Sequence, residues 1–293
     1  MIRILRRPGL DLGVLTFTLL AGIIAPAQVS QRTTAAEPNA TEQEKLLTAM
    51  RQYGELYLSN LPSFLCTQVT QQFSTGKNTT RWHRGDTLTS RLVFNEGREQ
   101  RSLEFVNDKP AKHSGLESRT PLSTEGEFGM LLDSILGSTS AASFSWKGWD
   151  RVRGRPAAVF DYAVDKAHSR LSLSLSDFAH AVVAYHGSIY ADPSTGAVWR
   201  VTNAITDIPP EVQTKSIATI IEYDETPIGG ATYLLPVQAR VTLFTGSRNL
   251  RNEIQFRNYR KFEADSTIIY RTGELNNSAD APKPSASPVP RYE

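Results

Sequence analysis

Cysteine is all but missing: the chain of 293 residues holds one, Cys66. An internal disulfide is thereby excluded, and the core must stand without a covalent staple. Charge of a dominant sign is missing too, with 32 Lys and Arg against 30 Asp and Glu. That balance excludes the basic face of a typical nucleic-acid binder. It also argues against simple electrostatic docking on anionic lipid. The chain has no H-E-x-x-H, no P-loop, no G-x-S-x-G, and no G-x-G-x-x-G after a strand. These absences lower the odds of an enzyme without excluding one. They point to no cofactor and no metal.

What is present begins with an address. "MIRILRR" supplies three arginines, and "LGVLTFTLLAGII" (Leu12 to Ile24) is an apolar run. A spanning helix needs roughly 20 apolar residues, so this run is too short. "APAQ" follows, with Ala25 and Ala27 in the small-residue cleavage pattern. Residues 1–27 therefore read as a secretory signal peptide, with a membrane anchor as the alternative. Arg6-Arg7 suggests twin-arginine export, but Gly9 and Asp11 do not fit that pattern, which favours the Sec route. Cleavage leaves no integral membrane segment and puts the protein in the periplasm or outside the cell. It removes Arg3, Arg6, Arg7 and Asp11, so the remainder is closer still to neutral.

Residues 28–40 read as a flexible leader. In "TEQEKLLTAMRQYGELYLSN", Thr41 and Glu44 have capping-box spacing, and Leu46, Met50, Tyr53 and Tyr57 recur at helical period with Leu47 and Leu58 beside them. This predicts an amphipathic helix that ends near Pro62. "FLCTQVTQQF" then predicts a strand with Phe64, Cys66 and Gln68 on one face and Leu65, Val69 and Phe73 on the other.

Strand follows strand from there. "NEG", "NDK", "DPSTG" and "PIGG" carry turn chemistry. "VQARVTLF" sets Val237, Ala239, Val241 and Leu243 against Gln238, Arg240 and Thr242. "LRNEIQFRNYRKF" sets Ile254 and Phe256 against Glu253, Gln255 and Arg257. One dry and one wet face imply antiparallel pairing. One helix interrupts, "STEGEFGMLLDSILG". Thr124 and Glu127 are at box spacing, Phe128, Leu131, Leu132, Ile135 and Leu136 form one stripe, and Gly137 stands at the C-terminal cap. From Gly273 the composition is Pro, Ser and Ala, so residues 273–293 read as a disordered tail. Residues 41–272 are thus one α+β domain: a strongly curved antiparallel sheet, an incomplete barrel, with covering helices that bury their apolar stripes.

The helix, the strand with Phe64, Thr70 and Gln71, the meander, the inserted helix and the late hairpin Tyr185 to Val201 together resemble the LolA/LolB-like superfamily. Those are exported bacterial half-barrel proteins, and this chain resembles an uncharacterised branch of them. The resemblance implies an apolar ligand, a lipid or the acyl chain of a lipoprotein, bound or sensed in the half-barrel. The family's carrier uses an arginine in its cavity; no single arginine here is matched to it. Two other function classes stay open: a structural or protein-interaction module of the cell envelope without a ligand cavity, and an uncharacterised envelope enzyme.

Candidate residues are few. Cys66 lies far beyond the apolar run, which argues against lipidation, and none of the five histidines gives it a recognisable base. It reads as packing. Ser74 and Lys77 match S-x-x-K in a hairpin turn without the partners that motif needs. "RGD" (Arg84 to Asp86) reads as a turn. His180 and His186, read as one strand, would be about 20 Å apart, too far for one metal. Trp82 and Trp199 read as core. Trp146 and Trp149 are the candidates for the rim of a ligand mouth, with edge packing as the alternative.

Overall fold

The computed structural model describes residues 36–77, 79–111, 128–176, 179–209, 214–245 and 248–262. The expected signal peptide, most of the expected leader, the tail, and Thr124 and Glu127 lie outside them. Helix α1 (Ala40–Tyr57) comes first. Its cap is Asn39, not Thr41: the Asn39 side chain accepts from the Glu42 amide at 3.1 Å and the Glu42 carboxylate accepts from the Asn39 amide at 2.8 Å. An N-cap box needs the capping residue in extended backbone, and Asn39 supplies it two residues earlier than the sequence spacing suggested.

The strands follow in chain order: β1 (Phe64–Thr75), β2 (Trp82–Asn95), β3 (Arg98–Val106) and β4 (Lys109–Pro110). After helix α2 (Met130–Leu136) come β5 (Ser143–Val152), β6 (Arg155–Val164), β7 (Ser172–Ser176), β8 (Ala179–Val182), β9 (Tyr185–Ala191) and β10 (Val198–Ile205). The long β11 (Ser216–Ile228), β12 (Ala231–Phe244) and β13 (Leu250–Lys261) close the series. Four hairpins turn on two residues at positive φ: Glu96-Gly97, Asn107-Asp108, Arg153-Gly154 and Gly229-Gly230. This backbone matches the right-handed twist of the flanking strands.

Among the described residues eleven strands form one open antiparallel sheet in the order β4-β3-β2-β1-β13-β12-β11-β10-β9-β6-β5, and β7 pairs with β8 in a separate two-stranded sheet. The sheet must curl strongly. The amide of Phe128 reaches Glu99 on β3, while the carbonyl of Ser134 accepts from the Tyr185 hydroxyl on β9. The four helical steps from Met130 to Ser134 advance about 6 Å, and the two steps from Phe128 to Met130 add at most about 7 Å. In a flat sheet β3 and β9 would be roughly 34 Å apart at 4.8 Å per strand. One short segment touches both only because the sheet wraps around it. Both α2 and α1 lie on the wrapped, inner face, with Leu47, Met50, Tyr57, Leu132, Ile135 and Leu136 buried in the same core as Phe64, Phe256 and Ile221. The two helices meet closely: a Cβ on Gly54 would come within 2.4 Å of the Leu136 Cβ. The expected half-barrel with covering helices is therefore the fold observed.

Helix α2 is shorter than its sequence pattern. It starts at Met130 after Gly129 at φ 119°, so Phe128 precedes the helix rather than belonging to its stripe. "RGD" lies inside β2, not in a turn, at a register shift opposite Gln71 and Phe73. His180 is on β8 and His186 on β9, so they do not share a strand. Trp199 is buried, but in a small outer cluster with Val152 and Ala157. Trp82 is not core: it is half-buried on the outer face, where the Arg251 guanidinium sits 4.5 Å over its ring and 4.7 Å over that of Phe73.

Candidate functional site

The inner face of the sheet is the candidate site, and its centre is aromatic. Alternation on β1 points Phe64, Cys66, Gln68 and Thr70 inward. The pairing register brings Phe94 beside Phe64 and Leu92 beside Cys66. Phe256 arrives from β13 opposite Gln68. Phe128 descends into this nest and is fully buried. Its ring lies 5.2 Å from Phe64, 5.1 Å from Phe256, 6.2 Å from Phe94 and 6.4 Å from Tyr259. These are tilted and edge-on contacts, the arrangements aromatic quadrupoles favour.

Beside the nest lies a buried ion pair. Residues two apart on a strand share a face, so Glu99 and Arg101 of β3 both point inward. They meet at 2.7 Å with side chains 9% and 8% exposed. Glu99 also accepts from the Phe128 amide at 3.4 Å, which ties the segment before α2 to the sheet. Cys66 is near both charges. Burial pushes its thiol up to about 12; Glu99 adds to that, and Arg101 and Tyr259 oppose it. Such a thiol is protonated at any ordinary pH and is no nucleophile. Tyr259, half-buried, donates to the carbonyl of Pro236. The packing reading of Cys66 and the geometry agree.

At the far edge, β5 carries Trp146 and Trp149. A bulge at Gly148, with φ 145°, interrupts the register with β6. An extra residue turns the spacing of three into a same-face pair. The two indoles meet edge-on at 5.0 Å, and Trp146 packs on Phe160 at 5.2 Å. Both are half-buried against the main core. They are therefore brought together, on an edge strand, far along the sheet from the Phe128 nest.

A constellation that the sequence did not reveal lies on β5, β6 and β9. Lys147 Nζ donates to Asp161 at 2.8 Å and to Ser188 Oγ at 2.9 Å, and Ser188 Oγ donates to Asp161 at 2.5 Å. Serine, lysine and aspartate could suggest catalysis. However, the hydrogen bond to Asp161 holds the ammonium above its ordinary range, so Lys147 has no free base to offer. Burial works against the charge of Asp161, but the bonds from Lys147 and Ser188 outweigh it and hold the carboxyl below its usual range. Among the described residues no group of three His, Cys, Asp or Glu could hold a metal, and no helix is long and apolar enough to cross a membrane.

The fold and site thus define an open antiparallel half-barrel whose inner face is filled from its own chain by two helices and an aromatic residue. No family model matches the sequence, and no curated protein matches it. Solved structures do. The chain is similar to a DUF1329 family protein from Desulfovibrio piger, at 10% identity and TM-score 0.36, over 79% of this chain and 96% of that one. It is similar to a LolA superfamily protein from Nitrosomonas europaea, at 7% identity and TM-score 0.31, over 75% and 94%. A putative outer membrane lipoprotein-sorting protein domain from Vibrio parahaemolyticus matches at 10% identity and TM-score 0.37, over 80% and 96%.

Proposed function

We propose that the protein is an exported, non-enzymatic carrier or sensor that takes an apolar ligand, a lipid or an acyl chain, on the inner face of its half-barrel. The observation that carries this reading is Phe128. One side chain on a short segment fills an aromatic nest, and the described polar ties of that segment to the sheet are few. Withdrawal of Phe128 would leave a ring-lined site on a dry face. A ligand of matching shape would replace apolar contact with apolar contact, at little net cost in buried area. In this reading Trp146 and Trp149 rim the site at the β5 edge, half in water, where amphipathic rings serve well. The address read from residues 1–27 fits a ligand of the cell envelope.

The test is extraction of the purified protein with organic solvent, followed by mass spectrometry, together with titration of a fluorescent fatty acid. A reproducible co-purified lipid, or saturable uptake, is the expected result. Empty protein with no uptake would end the carrier reading.

A second reading is favoured by the same nest as it stands. The rings already fill it, which suits a structural or protein-interaction module of the envelope with no ligand. Cross-linking in the native envelope separates the two: a stable protein partner, with no lipid recovered, selects the second.

A further inference from the structure

We infer that the turn end of β1 and β2 carries an oxyanion site built for a phosphate group. A surface cavity of about 450 Å³ opens there, lined by Ser74, Thr75, Gly76, Lys77, His83 and Arg248. Not one of the six is acidic. Arg248 makes its side-chain contact with a hydroxyl, donating from Nη2 to Ser74 Oγ at 3.0 Å, and neither Arg248 nor Lys77 pairs with a carboxylate among the described residues. Exposed cations usually sit among anions on a surface of mixed charge. Two of them lining one cavity, with no carboxylate paired to either among the described residues, make its mouth locally positive.

Arg248 stands on a fixed frame. The loop after β12 is docked on the end of β1: Thr75 N donates to the Asn249 carbonyl at 2.9 Å, and Asn249 N donates to Thr75 Oγ1 at 3.0 Å. Within that loop Arg248 N donates to Thr245 Oγ1 at 2.9 Å. A guanidinium held in this way loses little freedom when an anion arrives. The chemistry of the lining selects the ligand class. A guanidinium fork matches two oxygens of a tetrahedral oxyanion, an ammonium supplies a point charge, and hydroxyls supply further donors. The cavity is larger than one phosphate, so it suits a phosphate that carries an organic substituent. The chain as a whole is near neutral, with 32 basic and 30 acidic residues, so any such binding must come from this cluster and not from general attraction. This site stands whether or not the inner face takes a ligand.

The phosphate group could come from a soluble ester or from a phospholipid head. Two assays on the full chain distinguish them: calorimetric titration with inorganic phosphate, and flotation with phosphatidylglycerol vesicles against phosphatidylcholine vesicles. Lys77→Ala and Arg248→Ala are each expected to weaken binding about tenfold, and the double variant about a hundredfold, the scale of a charge-assisted contact. Arg91→Ala is the control, an exposed arginine on β2 paired with Glu104. Binding of free phosphate that the double variant loses supports the site as a phosphate receptor. Binding of phosphatidylglycerol vesicles alone, again lost in the double variant, supports the head-group form. No binding in either assay, binding untouched by the double variant, or an equal loss in Arg91→Ala would each overturn the proposal.

Discussion

Replacing Phe128 by alanine removes the ring from the centre of the aromatic nest. The side chain is fully buried and has four aromatic neighbours with centroids 5.1 to 6.4 Å away. A Phe→Ala change at such a site costs about 3–5 kcal/mol, combining lost transfer energy with a cavity that the surroundings fill only in part. The upper half of that range is expected here, because edge-on ring pairs add roughly 0.5–1.5 kcal/mol beyond burial. For a domain of this size each kcal/mol moves Tm by about 2–4 °C. The variant should melt about 8–20 °C lower and show the same loss in urea, with an unchanged m-value.

The cavity left behind would be dry, ring-sized and lined by Phe64, Phe94 and Phe256. Apolar cavities of this kind stay empty of water and accept benzene. Saturating benzene should therefore return about 1–3 kcal/mol to the variant by mass action and nothing to the parent chain. A cost below about 1 kcal/mol would refute the packing argument, since it would mean that Phe128 does not fill the nest. A full cost with no benzene effect would show that the space left is not one an apolar ligand can enter, and the idea of a site exposed by withdrawal would fall with it. Faster or tighter uptake of a fluorescent fatty acid by the variant would link the nest to the proposed ligand.

Native Cys66 should resist thiol reagents at pH 8 and react fully in urea; prompt reaction of the folded chain would contradict its burial. Its folded pKa is raised to about 12 from 9.0, so its contribution to stability is complete below pH 9 and is lost as pH rises through 12. Within that window the loss is about 1.4 kcal/mol per pH unit from this one group, and Cys66→Ala should flatten an alkaline unfolding curve by that slope. Asn39→Ala removes one side of the α1 box and should cost about 1 kcal/mol by urea titration. Gly196→Ala should cost more than about 2 kcal/mol: the residue has φ 74°, and a Cβ there would lie 2.4 Å from the Ala49 backbone.

How much of this could be read from the chain depends on the reach of each feature. Three hairpins are legible because a two-residue turn writes its own code: "EG", "ND" and "GG" adopt positive φ between alternating strands, whereas the turn at Arg153-Gly154 sits inside a stretch that reads only as strand. The inward set Phe64, Cys66, Gln68 followed from period two alone. The α1 stripe was right, but its cap was placed two residues late, because Thr41 and Glu44 have the same spacing as Asn39 and Glu42. Features that join distant segments were not legible. Lys147, Asp161 and Ser188 come from three strands, and Arg248 is 174 residues from the serine it touches. Glu99 and Arg101 carry no signal in the sequence, because an E-x-R step on a strand is ordinary until the fold buries it. Bulges mislead in another way. Trp146 and Trp149 would face opposite ways on a regular strand, and only the Gly148 irregularity puts them side by side.

The Glu99–Arg101 pair raises a sharper question, because its position works against stability. Removing two charges from water costs several kcal/mol per ion, and attraction at 2.7 Å repays that only with good geometry and further hydrogen bonds. Apolar residues of similar volume often serve as well or better. If the pair only filled space, its replacement should be harmless. If it serves as the polar tie that holds the Phe128 segment through the Glu99 carboxylate, its replacement should loosen that segment and leave the fold intact. The double variant Glu99→Leu with Arg101→Met tests this. Each single change should cost about 3–5 kcal/mol, since it strands the other charge, and the double should cost far less. Hydrogen exchange at the Phe128 amide is the discriminating readout, because it reports local opening apart from global stability. Faster exchange there in a double variant of parental Tm is the expected result. Unchanged exchange would mean that the aromatic nest alone holds the segment, and a double variant as unstable as the singles would mean that the pair is structural after all.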